Sequence, residues 1–241
     1  MLGRMRDMIR LGQVEPVRKR IAEATQALLG DTIALSNADW QAPTLLPGWS
    51  RAKVAQHLSR SADAMRRLAL AASKNKTRAL YKSDEERRAQ FEGVIVRSGL
   101  DLQIDLDTTA GGLDEAFGLV TDWDAPVKLP VGTMPLSAVV VARLHEVVLH
   151  HRDLGTSHSP AQLDAVTASW LLQWAALWLR TKPGMPSVEL QSESGVVENV
   201  GEHGATRTVT GSDEALWLWI TGRDSGAALE GADGLTWPLL G

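Results

Sequence analysis

The chain has no cysteine among its 241 residues. That absence excludes disulfides, thiolate metal ligands and a cysteine nucleophile together, so thiol chemistry here needs a thiol from outside. No apolar run approaches the roughly 20 residues that span a bilayer, and Met1 to Arg6 do not form the apolar core of a secretion signal. A cytoplasmic protein without a membrane partner is expected. Basic residues are not in excess: Lys+Arg 25 against Asp+Glu 29 gives a formal net charge of -4, which argues against nucleic acid as a partner. Tyrosine occurs once and phenylalanine twice, while tryptophan occurs nine times. The tryptophans from Trp170 to Trp219 read as core packing. The remaining composition, 44% hydrophobic and 22% charged, is that of an ordinary globular chain with room for one large or two small domains. Disordered and collagen-like architectures are excluded.

Hydrophobic spacing divides the chain into helices first and mixed elements later. Val17, Ile21, Ala24, Leu28 and Leu35 predict a helix from Val14 to about Leu35. The turn Leu46-Pro47-Gly48-Trp49 precedes Ser50, an N-cap for a second helix reaching about Ala72. Ser83 with the acidic residues 84–86 predicts the opening of a third helix, broken near Gly99 and ending near Ala110. Residues 123–135, with three prolines and Gly132, predict a loop or short hairpin. A fourth helix is expected from about Leu136 to Leu154, stopped by Gly155. Beyond a linker at residues 157–160 the pattern predicts a Trp-rich helix from Leu163 to about Leu179. Strands follow at 187–191 and 205–210, then a short helix from Ser212 to Gly222 and a last strand from Gly234 to Leu240. The expected fold class is α+β: a four-helix unit over residues 1–158 and a smaller α/β unit over 159–241.

Polar residues on the apolar faces carry the chemistry. On the second helix Val54, Leu58, Met65 and Leu68 share one side with His57 and Ser61. On the fourth helix Leu136, Val139, Val147 and Leu154 define the inner side, and Glu146 and His150 share it at i and i+4. A carboxylate in a bundle core without a partner costs several kcal/mol or takes up a proton. A cation bound by His57, Glu146 and His150 is an economical remedy, because bundle cores gather ligands from facing helices. A His₂Glu set leaves a fourth position for water or substrate, the pattern of catalytic rather than structural zinc. The plainer reading is an exposed i,i+4 pair and a carbonyl-bonded core histidine. Asp153, three residues beyond His150, can hold that ring's other nitrogen, or stand on the surface near the helix end. His145 and His151 project from other faces and are expected at the surface or an interface. Arg223, after the Gly222 stop, can clamp a carboxylate or be an ordinary loop arginine. Tyr81 can cap a pocket or pack.

Three segments together resemble a known family. The run Leu46-Pro47-Gly48-Trp49-Ser50-Arg51 through Gln56-His57-Leu58, the segment Glu146-x3-His150-x2-Asp153-Leu154-Gly155, and Thr221-Gly222-Arg223 are similar to mycothiol-dependent maleylpyruvate isomerase, over nearly the full chain. The resemblance implies an N-terminal DinB-like four-helix bundle holding a divalent metal, usually zinc, followed by a small α/β domain. It implies His57, Glu146 and His150 as metal ligands and Arg223 as an arginine needed for activity. It further implies a small-molecule substrate and mycothiol as cofactor: a zinc-bound thiolate adds to maleylpyruvate, the bond rotates, and elimination yields fumarylpyruvate. Arg223 would hold a substrate carboxylate or the enolate oxygen. A mycothiol S-transferase and a non-catalytic metal-binding module remain alternatives. Zinc hydrolysis is weaker, because no dedicated general base stands beside the ligands. Imidazole and carboxylate also suit nickel, iron and manganese, and the sequence leaves the oligomeric state open.

Overall fold

The computed structural model describes residues 14–81, 83, 85, 97–156 and 163–240. The chain separates into two compact units, Met1–Pro160 and Ala161–Gly241, and is α+β, with seven helices and two small sheets among the described residues. The linker expected at 157–160 lies outside the described residues. No described helix is long and apolar enough to cross a membrane.

The first unit holds α1 (Val14–Thr32), the short α2 (Asn37–Gln41), α3 (Arg51–Ala72), α4 (Gly99–Gly118), strands β1 (Pro126–Leu129) and β2 (Gly132–Pro135), and α5 (Ser137–Asp153). Serines start three of these helices by accepting an otherwise orphaned backbone N–H: Ser36 from Asp39, Ser50 from Lys53 and Ser98 from Asp101. The sequence reading misses α2 and runs the first helix three residues too far. Ser36 and Asp39 form a reciprocal capping box there, which begins a new helix instead of prolonging the old one. The start expected at Ser83 falls largely outside the described residues. The described helix begins at Gly99 and runs to Gly118, well past Ala110. Glycine is required at its first position, since a Cβ on Gly99 would stand 2.6 Å from Trp40 Cδ1.

Helix α3 packs on α4 and α5, and α1 packs on α5. Leu28, Trp40, Val54, Leu58, Leu102, Leu106 and Val147 form the buried core between them. Helix α5 is buried almost all round, Glu146 and Arg152 excepted. His145 and His151, expected outside, are therefore inside, at 6% and 5% exposure. A helix covered on every side has no outer face to which its polar residues can be assigned by periodicity.

The second unit holds α6 (Ala165–Leu179), β3 (Pro186–Ser192), β4 (Val197–Val200), β5 (His203–Gly211) and α7 (Asp213–Ile220). The sheet order is β4-β3-β5, with β3 antiparallel to β4 and parallel to β5. To pass from one side of β3 to the other, the chain crosses beneath the start of that strand at Gly201. This glycine has φ 70°, and a Cβ there would lie 2.0 Å from the carbonyl oxygen of Pro186. Gly201→Ala is expected to destabilise the second unit by about 3 kcal/mol, combining left-handed strain with a backbone clash. Gly184→Ala, at φ 78° with open space around it, should cost only about 1 kcal/mol. Denaturant midpoints of the two variants check the contrast.

The strand expected from Gly234 to Leu240 does not form. Pro238 has no N–H to donate; the segment is held instead by Leu240 N–H to Thr221 O, and Trp237 meets Trp219 edge to face at 5.4 Å.

Candidate metal centre

Two helix termini set the positions of the candidate ligands. In Leu46-Pro47-Gly48-Trp49 proline supplies the first central residue and Gly48, at φ 77°, the second, and Trp49 N–H closes the turn on Leu46 O at 3.0 Å. Trp49 then stands edge to face against the His57 ring, centroids 5.5 Å apart, with the Lys53 ammonium 4.9 Å over the indole. Arg51 ties the start of α3 to the end of α5: its Nε donates to Leu154 O at 2.8 Å and its Nη2 to Gly155 O at 3.0 Å. These are carbonyls that a helix C-terminus leaves without intrahelical partners. Gly155 adopts φ 58° and ends α5 as its position predicts.

Between those anchors His57, Glu146 and His150 come together, with one candidate donor atom from each lying within 4.8 Å of the others. His57 Nε2–H donates to Glu146 Oε2 at 2.7 Å, and His150 Nε2 lies 3.8 Å from the same oxygen. The two imidazoles are edge to face, centroids 4.7 Å apart. Both are buried, whereas the Glu146 side chain keeps 22% of its exposure and gives the cluster an approach from solvent. Burial alone raises the carboxyl pKa of Glu146. The charge and hydrogen bond of His57, backed by His150 and His145, outweigh that and hold it well below the usual carboxylate range. The group is therefore an anion at neutral pH.

This donor set fits a divalent cation. His150 Nε2 is buried and has no hydrogen-bond partner, so a polar atom that would otherwise be costly to bury faces the other two donors. Its opposite nitrogen, Nδ1–H, donates to Asp153 Oδ2 at 2.9 Å, and Asp153 is fully buried. That bond places the lone pair on Nε2.

Tyr81 is half-buried and follows Leu80, whose N–H bonds Lys128 O of β1. Arg223 belongs to the second unit. Its Nη1 donates to Thr221 O at 2.6 Å and also to Leu240 O, at the end of α7 where Gly222 (φ 77°) turns the chain.

Arg143 escapes the sequence reading altogether. It lies one turn before Glu146 and is 2% exposed; its Nη1 donates to Leu58 O at 2.8 Å and to Ser61 Oγ at 3.4 Å. Burial pushes its pKa down to about 10, against the opposing charge of Glu146. The available signal is a lone arginine inside the apolar run from Val139 to Leu144.

On the far side of α5, His151 Nε2–H donates to Asp31 Oδ2 at 2.8 Å. Burial lowers the His151 pKa, and Asp31 only partly offsets it. The unfolded chain thus binds this proton more readily, so stability falls as pH drops through and below the ordinary imidazole value of 6.5. His151→Asn is expected to flatten that part of the stability profile, measured as denaturant midpoint against pH.

Comparisons with known proteins agree on one relationship. The family model described as the mycothiol maleylpyruvate isomerase N-terminal domain matches residues 21–155. Crystal structures of a mycothiol-dependent maleylpyruvate isomerase and of a histidine-to-alanine mutant of it share the fold at a TM-score of 0.81. Each is 20% identical in sequence, over 94% of this chain and 97% of that one. A search of curated protein sequences finds no match.

Proposed function

Because the chain belongs to the mycothiol maleylpyruvate isomerase family, we propose that it is a metal- and thiol-dependent cis-trans isomerase that converts maleylpyruvate to fumarylpyruvate with mycothiol as cofactor. The observation that carries this reading is the convergence of His57, Glu146 and His150 from two helices in a chain without cysteine. Three protein ligands leave room for a small-molecule sulfur, and zinc suits a His₂Glu set. When bound, the cation and the thiol together supply a thiolate that adds reversibly to the cis double bond, permits rotation and leaves unchanged.

The residues of the chain supply the rest. His57 and His150 offer neutral nitrogen donors and Glu146 offers the anion. Asp153 holds the His150 ring in one tautomer. Trp49 packs on the His57 ring and limits its rotation. Arg223 is the proposed partner of a substrate carboxylate, for which a guanidinium provides paired donors.

The test is incubation of metal-loaded protein with maleylpyruvate and substoichiometric mycothiol. Full conversion with the thiol recovered supports isomerisation. Conversion with stoichiometric loss of thiol makes the protein an S-transferase. No conversion by protein that retains its metal, with metal loss merely lowering the melting temperature, makes it a non-catalytic metal-binding module.

A further inference from the structure

A cavity of about 200 Å³ opens between α1 and α4, and none of His57, Glu146 and His150 lines it. Its walls include Ile21, Leu113 and Phe117, with Thr25 and Arg143 among them, and the exposed Ala22 stands at its edge. Two buried polar groups in this lining are incompletely satisfied. Thr25 Oγ1 has no hydrogen-bond partner, and neither has Arg143 Nε. Arg143 forms no ion pair with any described residue, and its contacts to Leu58 O and Ser61 Oγ use Nη1 alone. A guanidinium remains charged at neutral pH; the charge of Glu146 acts on this one, but no described carboxylate lies within ion-pair distance of it, so its desolvation is only partly compensated. The rim carboxylate of Asp114 is bonded to Arg18 at 2.8 Å, a guanidinium it shares with Glu15, and Asp107 is exposed to water. Neither closes the cavity to an anion.

We propose that this cavity binds a small organic carboxylate, held by Arg143, with an apolar body about the size of one ring. The apolar walls favour an organic anion over an inorganic one, and the buried cation favours an acid over a neutral hydrocarbon. The volume is adequate, since an apolar cavity of about 150 Å³ accommodates benzene. The site is separate from the metal centre and stands whether or not the isomerase reading holds.

Calorimetric titration of the metal-loaded protein with benzoate tests it. Saturable one-to-one binding is expected, about tenfold or more tighter than that of benzyl alcohol, which lacks the charge, and inorganic phosphate should not saturate. Ala22→Trp, at an exposed position, plugs the mouth and should weaken benzoate about tenfold or more, as should Arg143→Met. His57→Ala should leave benzoate binding unchanged. Loss of binding in His57→Ala with retention in Ala22→Trp would put the carboxylate on the metal and overturn the proposal. Equal affinity for benzyl alcohol or phosphate, or no benzoate binding by the unaltered protein, would overturn it too.

Discussion

Glu146→Ala is expected to yield folded protein that no longer retains its metal. The carboxylate contributes the one full negative charge among the three donors, and its oxygen is the atom nearest both imidazoles, 2.7 Å from His57 Nε2 and 3.8 Å from His150 Nε2. Without it two neutral imidazoles remain, fewer than the three protein ligands of a catalytic zinc site. Elemental analysis of protein purified without added metal should find about one equivalent in the unaltered chain and under about a tenth in the variant. Isomerase turnover should fall with it. Glu146→Gln separates charge from shape: the amide fills the same space and should lose nearly as much metal. Because the side chain is partly exposed, neither change opens a core cavity, and circular dichroism should report an unchanged helix content. A full equivalent of metal in Glu146→Ala would remove the centre, and the proposed activity with it.

What the sequence makes legible is polarity where the helical period demands hydrocarbon. His57 among Val54, Leu58 and Met65 is visible because all four share one stripe, and Glu146 with His150 is visible for the same reason. The same reasoning fails on the rest of α5. Periodicity assumes an outer face, and this helix has scarcely any, so His145 and His151 go to the wrong side and Arg143 passes without notice. Short elements fail differently. Five residues of α2 and four of β4 carry too little pattern to register, though the Ser36–Asp39 capping box was present to be read. The crossing at Gly201 depends on contact with Pro186, close in space but separated along the chain by the whole of β3 and β4, and glycine alone does not reveal which backbone it must pass. The final segment errs oppositely: apolar residues after Gly234 suggest a strand, but they pack on α7 through Trp237 and Trp219 without a ladder.

Asp153→Asn is expected to weaken metal binding by about 10- to 100-fold while leaving the three ligands in place. Asp153 is fully buried and accepts the His150 Nδ1–H at 2.9 Å, and His150 is itself 1% exposed. Ionised, it does two things for the ring: it keeps the proton on Nδ1, so that Nε2 presents a lone pair, and it makes that lone pair more basic. Asparagine keeps the volume and an acceptor oxygen but removes the charge, so the second effect is lost even where the first survives. Competition against a chelator of known affinity measures the change. The melting temperature of the metal-free variant must be recorded beside it, because a change there alone would report packing at the end of α5. His151→Asn is the control, since His151 is also buried, next to His150 in sequence, but is bonded to Asp31. It should leave the metal affinity within about twofold, having no bond to a ligand ring. If Asp153→Asn holds metal as tightly as the unaltered chain, the carboxylate is packing, and the basicity of His150 is set by something other than its buried neighbour.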